Sequence, residues 1–124
     1  MMRTRKEILN DLVFLNDDIA KLQLELSQFP WDIINPIITV NNSDIYRILT
    51  KFVFEKTNFI TIEDWANAIE CREDLDFEND ALKEIITEIA NPALFEKLDS
   101  ERLKQFIIQV DSNGDKLSRT GASV

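Results

Sequence analysis

The spacing of apolar residues predicts a long helix at the start of the chain, from about Arg5 to Gln28. Its apolar positions recur at alternating intervals of four and three residues, the repeat of a helix with one continuous seam. Further apolar residues widen this stripe, which favours packing inside a bundle over an isolated coiled coil. Pro30 ends the segment. The seam consists of Ile8, Leu12, Leu15, Ile19, Leu22, Leu26 and Phe29.

Four shorter amphipathic helices are predicted after this segment, each with apolar residues on one face. Thr61 is the expected N-cap of the second, because Asp64 three residues later completes a pattern similar to a capping box. Ser100 is the expected cap of the last. The predicted helices span about residues 44–56, 62–72, 80–90 and 101–110.

Two stretches lack a clear helical period. Residues 31–40 are apolar and β-branched but are interrupted by Pro36, so they fit either a connector or a short extended piece over the core. After Val110 the apolar pattern stops, and we expect a flexible tail over residues 111–124. The predicted fold is a single all-α domain over residues 1–110, a bundle of about five helices, followed by a disordered C-terminal tail.

Composition excludes several kinds of chemistry. The 124-residue chain contains no histidine, which excludes Ser-His-Asp and Cys-His catalysis and histidine-based metal sites. Cys71 is the only cysteine, so no internal disulfide forms, and its acidic neighbours oppose an activated thiolate. The two glycines do not form a phosphate-binding loop. We therefore expect neither a cofactor nor an enzyme.

The overall charge and the N-terminus bear on partners and location. The net charge of −9 disfavours direct binding to nucleic acid or to anionic membranes, because both are negatively charged. The first ten residues are polar, and no apolar run is long enough to span a bilayer. The sequence therefore predicts a cytoplasmic protein without a membrane segment.

The negative charge is concentrated in one segment. Residues 63–80 contain eight acidic residues and one arginine, so they hold −7 of the net −9. Like charges one helical turn apart destabilise a helix by about 0.2–0.5 kcal/mol per pair. Such a cluster is either a solvated helix face or a surface for a cationic partner, and the concentration in one segment favours the second interpretation.

Two aromatic residues have alternative roles. Trp65 has helical spacing with the apolar residues around it, which favours core packing, but a partly exposed tryptophan beside acids could also anchor a partner. Trp31 is expected to pack against the end of the first helix.

The segment from Ile60 to Leu94 resembles immunity proteins of contact-dependent growth inhibition, a class of polymorphic toxin systems. The residues that carry the resemblance are Asp64-Trp65-Ala66, Ile69-Glu70, Arg72-Glu73-Asp74-Leu75, Phe77-Glu78 and the turn Ala90-Asn91-Pro92. This match covers about a third of the chain. It implies a helical protein that binds the toxic C-terminal domain of an effector, often a nuclease that acts on RNA, and so protects the producing cell.

The resemblance and the charge pattern together predict a docking face for a basic nuclease domain. Trp65 and Phe77 would shape or anchor this face, and Ile69 and Leu75 would tie it to the core. Replacing Glu73 and Asp74 by lysine would then weaken binding with little change in stability. The acidic residues of the predicted face are Asp64, Glu70, Glu73, Asp74, Asp76 and Glu78.

Two other functions remain open at this point. A helical scaffolding protein could form a homodimer through the seam of the first helix. A carboxylate-based metal enzyme could use Glu70, Glu73, Asp74 and Asp76 to hold Mg²⁺ or to transfer protons. The sequence shows no pocket, nucleophile or cofactor motif to accompany those carboxylates, so we expect no metal site.

Overall fold

The computed structural model describes residues 4–29, 36–70, 72–95 and 98–118, with the backbone alone for 112–118. The chain is mostly helical, so the predicted all-α class is confirmed. The described residues form six α-helices and a sheet of two short strands. In chain order these are α1 (Arg5–Val13), α2 (Ile19–Leu26), β1 (Ile38–Val40), α3 (Asn42–Phe54), α4 (Phe59–Glu70), β2 (Leu75–Phe77), α5 (Asp80–Ala90) and α6 (Ser100–Ser118), with a single 3-10 turn at Pro92–Leu94 before α6.

The single long helix predicted from the apolar seam is in fact two helices, α1 and α2. Leu15 adopts a left-handed conformation with φ of 49°. The N–H of Asn16 then donates to the carbonyl of Asp11 at 2.9 Å, which closes α1. Helix α2 begins anew at Asp18, whose side chain accepts from the N–H of Lys21. The apolar spacing continues through the turn, so it does not reveal the break.

The seam nevertheless lies inside the fold. Helices α1 and α2 pack against each other and both contact α4. Leu15, Ile19 and Phe29 are partly buried against the core. The other seam residues are buried: Ile8, Leu12, Leu22 and Leu26.

Two of the predicted caps are wrong, although the helices are present. Helix α4 starts three residues before Ile62, and Asn58 accepts from the N–H of Ile60 at 2.7 Å in place of a cap by Thr61. At α6 the side chain of Asp99, not Ser100, accepts from the N–H of Arg102 at 2.9 Å. In both cases an earlier polar residue satisfies the first free N–H groups, and the helix starts sooner.

The other helix boundaries agree more closely with the pattern. Helix α5 has the predicted range. Helix α3 begins at Asn42, two residues before the predicted start, after a capping box formed by Asn41 and Asp44. Helix α6 continues to Ser118, beyond the predicted end at Val110. Val110 is buried, and the sequence after it lacks the apolar period on which the prediction depends. Positions 119–124 of the predicted tail lie outside the described residues.

Strands β1 and β2 join the end of the stretch 31–40 to the acidic segment 63–80. They pair in parallel, with Ile38 opposite Leu75 and Val40 opposite Phe77. Residues 31–40 are therefore extended at their end, over 38–40, while 31–35, including Trp31, lie outside the described residues. Strand β2 interrupts the acidic segment directly after α4, so the acids do not share one helix face.

Buried side chains from all six helices form one core. Helix α3 packs against α6, α4 against α5, and the α1–α2 pair against α4. Within the described residues, no helix combines the length and apolar character that crossing a bilayer requires.

The end of α3 repeats the left-handed termination of α1, at an exposed position. Lys56 has φ of 53°, and the N–H of Thr57 donates to the carbonyl of Phe52 at 2.9 Å. A Cβ atom in this conformation costs about 1 kcal/mol, and glycine is the residue that ordinarily occupies it.

We expect Lys56→Gly to raise the free energy of unfolding by about 1 kcal/mol, because glycine removes this clash. Urea denaturation followed by circular dichroism measures the change. The matched control is Glu55→Gly, one residue earlier at φ of −87°, where glycine should lower stability. A loss of stability in both variants would show that Lys56 is not strained.

Candidate functional site

Trp65 lies in the centre of the core and is not available to a partner. Its side chain is 0% exposed, and its indole N–H donates to the carbonyls of Leu12 at 3.1 Å and Val13 at 3.0 Å. Its ring makes an edge-to-face contact with Phe52, with centroids 5.1 Å apart. The indole therefore joins α4 to the C-terminal end of α1, as the favoured core-packing interpretation predicted, and its alternative role as a docking anchor is wrong.

Asp74 is buried in an ion triad, although its sequence neighbours are acidic. It is 1% exposed. Arg72 donates to both of its carboxylate oxygens, from Nε and from Nη2, at 2.8 Å each. Arg5 of α1 donates from Nε to Oδ2 at 3.0 Å. Because Asp74 is buried and paired with both arginines, its predicted place on a docking face is wrong. A lysine at this position would also put three cations together.

Opposing effects act on the carboxyl group of Asp74. Burial by itself raises the pKa, because desolvation disfavours the charged form. The hydrogen bonds and positive charges of Arg72, and then of Arg5, outweigh burial, so the pKa lies below its ordinary value of 3.8. The group stays ionised at neutral pH and holds both arginines.

The backbone around Asp74 also organises the strand that follows. The carbonyl of Asp74 accepts from the N–H groups of Ile37 at 2.9 Å and Ile38 at 3.3 Å, at the start of β1. Leu75, at 6% exposed, and Ile69, at 0%, are buried on either side of the turn, as expected for residues that tie this segment to the core.

Glu73, Asp76 and Glu78 present the remaining acidic groups of this segment. Glu73 and Glu78 are exposed, and Asp76 is half-buried. Glu78 Oε2 accepts from the N–H of Asn42 at 3.1 Å, in the first turn of α3, where negative charge is favoured. These three residues, together with the groove described next, form what we call the β2 surface.

A buried amide network supports Glu78. Asn42 Nδ2 donates to the carbonyl of Val110 at 3.1 Å, and Asn42 Oδ1 accepts from Asn79 Nδ2 at 2.9 Å. Asn79 also caps α5 by accepting from the N–H of Leu82. Helices α3, α5 and α6 are thereby fixed to the end of β2.

A groove of about 300 Å³ opens beside β2. Glu70, at the end of α4, lies in its lining and accepts from Asn91 Nδ2 at 3.2 Å. The half-buried Phe77 contributes apolar surface to this lining. Two cations share the lining, which makes its charge mixed. The lining residues are Glu70, Arg72, Leu75, Asp76, Phe77, Lys83, Ile86 and Thr87.

Asp64 belongs to a different surface. It is six residues before Glu70 on α4, which turns it about 120° away around the helix axis. It is exposed and lines a second groove, of about 630 Å³, between α4 and the start of α2. The structure thus divides the predicted face into the β2 surface and this second groove.

The second groove contains two acidic residues that the sequence analysis missed, Asp17 and Asp18. The prediction of one continuous helix gave these two residues no role. A signal was present, because an Asn-Asp-Asp run at 16–18 is typical of a helix N-terminus. The groove is lined by Leu15, Asp17, Asp18, Ile19, Ala20, Gln23, Thr61, Asp64, Asn67 and Ala68.

The described residues contain no group of three or more histidine, cysteine, aspartate and glutamate side chains arranged to hold a metal ion. Cys71 lies outside the described residues. The carboxylates around β2 can accept hydrogen bonds and pair with guanidinium or ammonium groups.

No family model matches the chain, and no match to a curated protein or a solved structure was found.

We expect Asp74→Asn to lower the free energy of unfolding by about 2–3 kcal/mol, because Arg5 and Arg72 lose their shared anion. Both arginines retain some solvent contact, with side chains 15% and 23% exposed, which moderates the loss. Chemical denaturation measures it. In the control Asp76→Asn, the amide oxygen can still accept from the N–H of Phe77, and the loss should stay below about 1 kcal/mol. Equal losses would contradict a special role for Asp74.

The lowered pKa of Asp74 predicts how this contribution depends on pH. A carboxyl group whose pKa is lower in the folded state stabilises the fold fully above its unfolded pKa of about 3.9 and loses that effect as pH falls through the folded pKa. The stability difference between the wild type and Asp74→Asn should be constant near neutral pH and shrink below about pH 4. Denaturation series at both pH ranges test this, and a difference that grows in acid would contradict it.

Proposed function

We propose that this chain is a cytoplasmic immunity protein. It binds and neutralises the basic nuclease domain of a cognate toxin of the contact-dependent growth inhibition type, and RNA is the first substrate to test for that nuclease. It acts by one-to-one binding and is not an enzyme. The proposal has two supports: the residue pattern between Ile60 and Leu94, and the placement of negative charge on the folded chain.

The observation that carries the proposal is the separation of structural and exposed acids within one segment. Asp74 is paired with Arg5 and Arg72. Glu73, Asp76 and Glu78 instead reach the surface in and around β2. Like charges concentrated in one segment repel one another, which costs stability in an isolated protein. A cationic partner would relieve this repulsion, and that relief would contribute to the binding free energy.

The expected mechanism has an electrostatic step and a contact step. A negative surface raises the association rate with a basic domain by about 10–10³-fold at low salt. Carboxylates then pair with arginine or lysine side chains that would otherwise hold the phosphates of the nucleic-acid substrate. The inhibitor in this scheme occupies or covers a basic cleft of the nuclease.

The support for the alternative, a scaffold that dimerises through its first helix, is weaker. The seam that would form the dimer contact is divided between α1 and α2 and faces the core of its own chain. A dimer through it would first have to expose those side chains.

The proposal is tested with the basic C-terminal domain of the large secreted protein expected to be encoded directly upstream. Expression of that domain alone should be toxic to the host cell, and co-expression of this chain should restore growth. Calorimetry on the purified proteins should give one-to-one binding. Toxicity that this chain does not relieve, together with no measurable binding, would refute the proposal.

We expect Glu73→Lys with Asp76→Lys to weaken binding of that toxin domain by about tenfold or more at low salt, because both charges act on association. The control Glu84→Lys with Glu101→Lys makes the same change in net charge on exposed positions of α5 and α6. Melting curves confirm that both variants fold. The wild-type affinity should also fall as ionic strength rises. Equal weakening in test and control variants would mean that only net charge matters.

A further inference from the structure

Two large apolar side chains are strongly exposed at the corner between α3 and α4. Phe54 is 86% exposed and Ile60 is 71% exposed. They lie at the last residue of α3 and in the first turn of α4, separated by five residues. Exposed apolar clusters next to polar grooves are typical of protein interaction sites.

This corner borders the groove between α2 and α4. Ile60 is one helical turn before Asp64, so both point to the same side of α4. On the α3 side, Lys51 Nζ donates to the carbonyls of Phe14 at 3.1 Å and Leu15 at 3.2 Å. Leu15 lines the groove, and Phe54 follows Lys51 by one turn. The corner and the groove are therefore neighbours.

The groove combines an apolar lining with negative charge. Leu15, Ile19 and alanines from both helices supply apolar surface, and Asp17, Asp18 and Asp64 supply the carboxylates. Among the described residues that line it, none carries a positive charge. Lys21 pairs with Asp17 at 2.8 Å from outside the lining. An aliphatic stem that ends in a cation fits such a surface, as in lysine and arginine side chains.

We propose that Phe54, Ile60 and this groove form one docking surface, the α2–α4 surface, for a cationic amphipathic helix of the partner. Apolar residues of that helix would cover Ile60 and Phe54, and its lysines or arginines would enter the groove. The inference deepens the proposed function and rests on it for the identity of the partner, the toxin domain.

A second copy of this chain is a poorer occupant. In a two-fold dimer the same patch faces itself, so the groove carboxylates of one copy would face those of the other. Each copy also carries a net charge of −9. Charge complementarity therefore selects a basic partner.

A short synthetic helix of leucine and lysine, with lysine on one face, serves as the probe. Titrated into the isotope-labelled chain, it should shift backbone amide signals at residues 15–20 and 60–68. The same helix with glutamate in place of lysine should shift none of them. Shifts centred on β2 or α6, or equal responses to both peptides, would overturn the inference.

Matched variants identify the contributing side chains. Ile60→Ser and Asp64→Asn should each weaken binding of the lysine helix by about fivefold or more, as expected for interface hot spots. The controls are Ile108→Ser, at a residue 64% exposed on α6, and Glu101→Gln on the same helix. Weakening by the controls equal to that by the test variants would overturn the inference.

Two further measurements separate this inference from the proposed function and from self-association. If toxin binding survives Ile60→Ser and Asp64→Asn but is lost in Glu73→Lys with Asp76→Lys, the α2–α4 surface is wrong and the proposed function stands. If the peptide maps to this surface but the toxin domain does not bind the wild type, the proposed function fails instead. A stable dimer in sedimentation that Ile60→Ser dissociates would show a second copy on the surface and overturn the inference.

Discussion

The buried carboxylate of Asp74 is the constraint on which the arrangement of this molecule depends. Its side chain binds Arg5 from the first helix and Arg72, two residues after the end of α4, while its backbone carbonyl accepts hydrogen bonds at the start of β1. A buried charge is costly unless it is paired and hydrogen-bonded. Pairing the Asp74 carboxylate therefore fixes the positions of three separate parts of the chain. The same contacts stabilise the turn that leads from α4 into β2.

That turn decides which acids can meet a partner. Had α4 continued, Glu70, Glu73 and Asp74 would have shared one helix face. Because the chain turns, Asp74 becomes structural. Glu73 lies in the turn, Asp76 in β2 and Glu78 directly after β2. Asp64 lies apart from them, beside Asp17 and Asp18. The molecule consequently carries two acidic surfaces, one polar around β2 and one with exposed apolar side chains.

Much of the helical architecture could be predicted from periodicity, because burying an apolar stripe requires it. Helix α5 and the burial of Ile69 on α4 are examples. The break at Leu15 could not be predicted in this way, because a left-handed leucine does not change the apolar spacing. This conformation is stabilised by contacts that exist only in the folded chain. The β1–β2 pair was also missed, because strands of three residues are too short for a pattern and their partners are distant in sequence.

The sequence by itself determined the helical class, the single acidic segment and the absence of histidine chemistry, since these follow from composition and short-range spacing. Only the tertiary structure decided the role of each residue. It placed Trp65 in the core, where two carbonyls at the end of α1 accept from its N–H. It made Asp74 structural because Arg5, distant in sequence, folds back onto it. The physical reason is the same in both cases: the free energy of a polar group depends on what surrounds it, and those surroundings come from other parts of the chain.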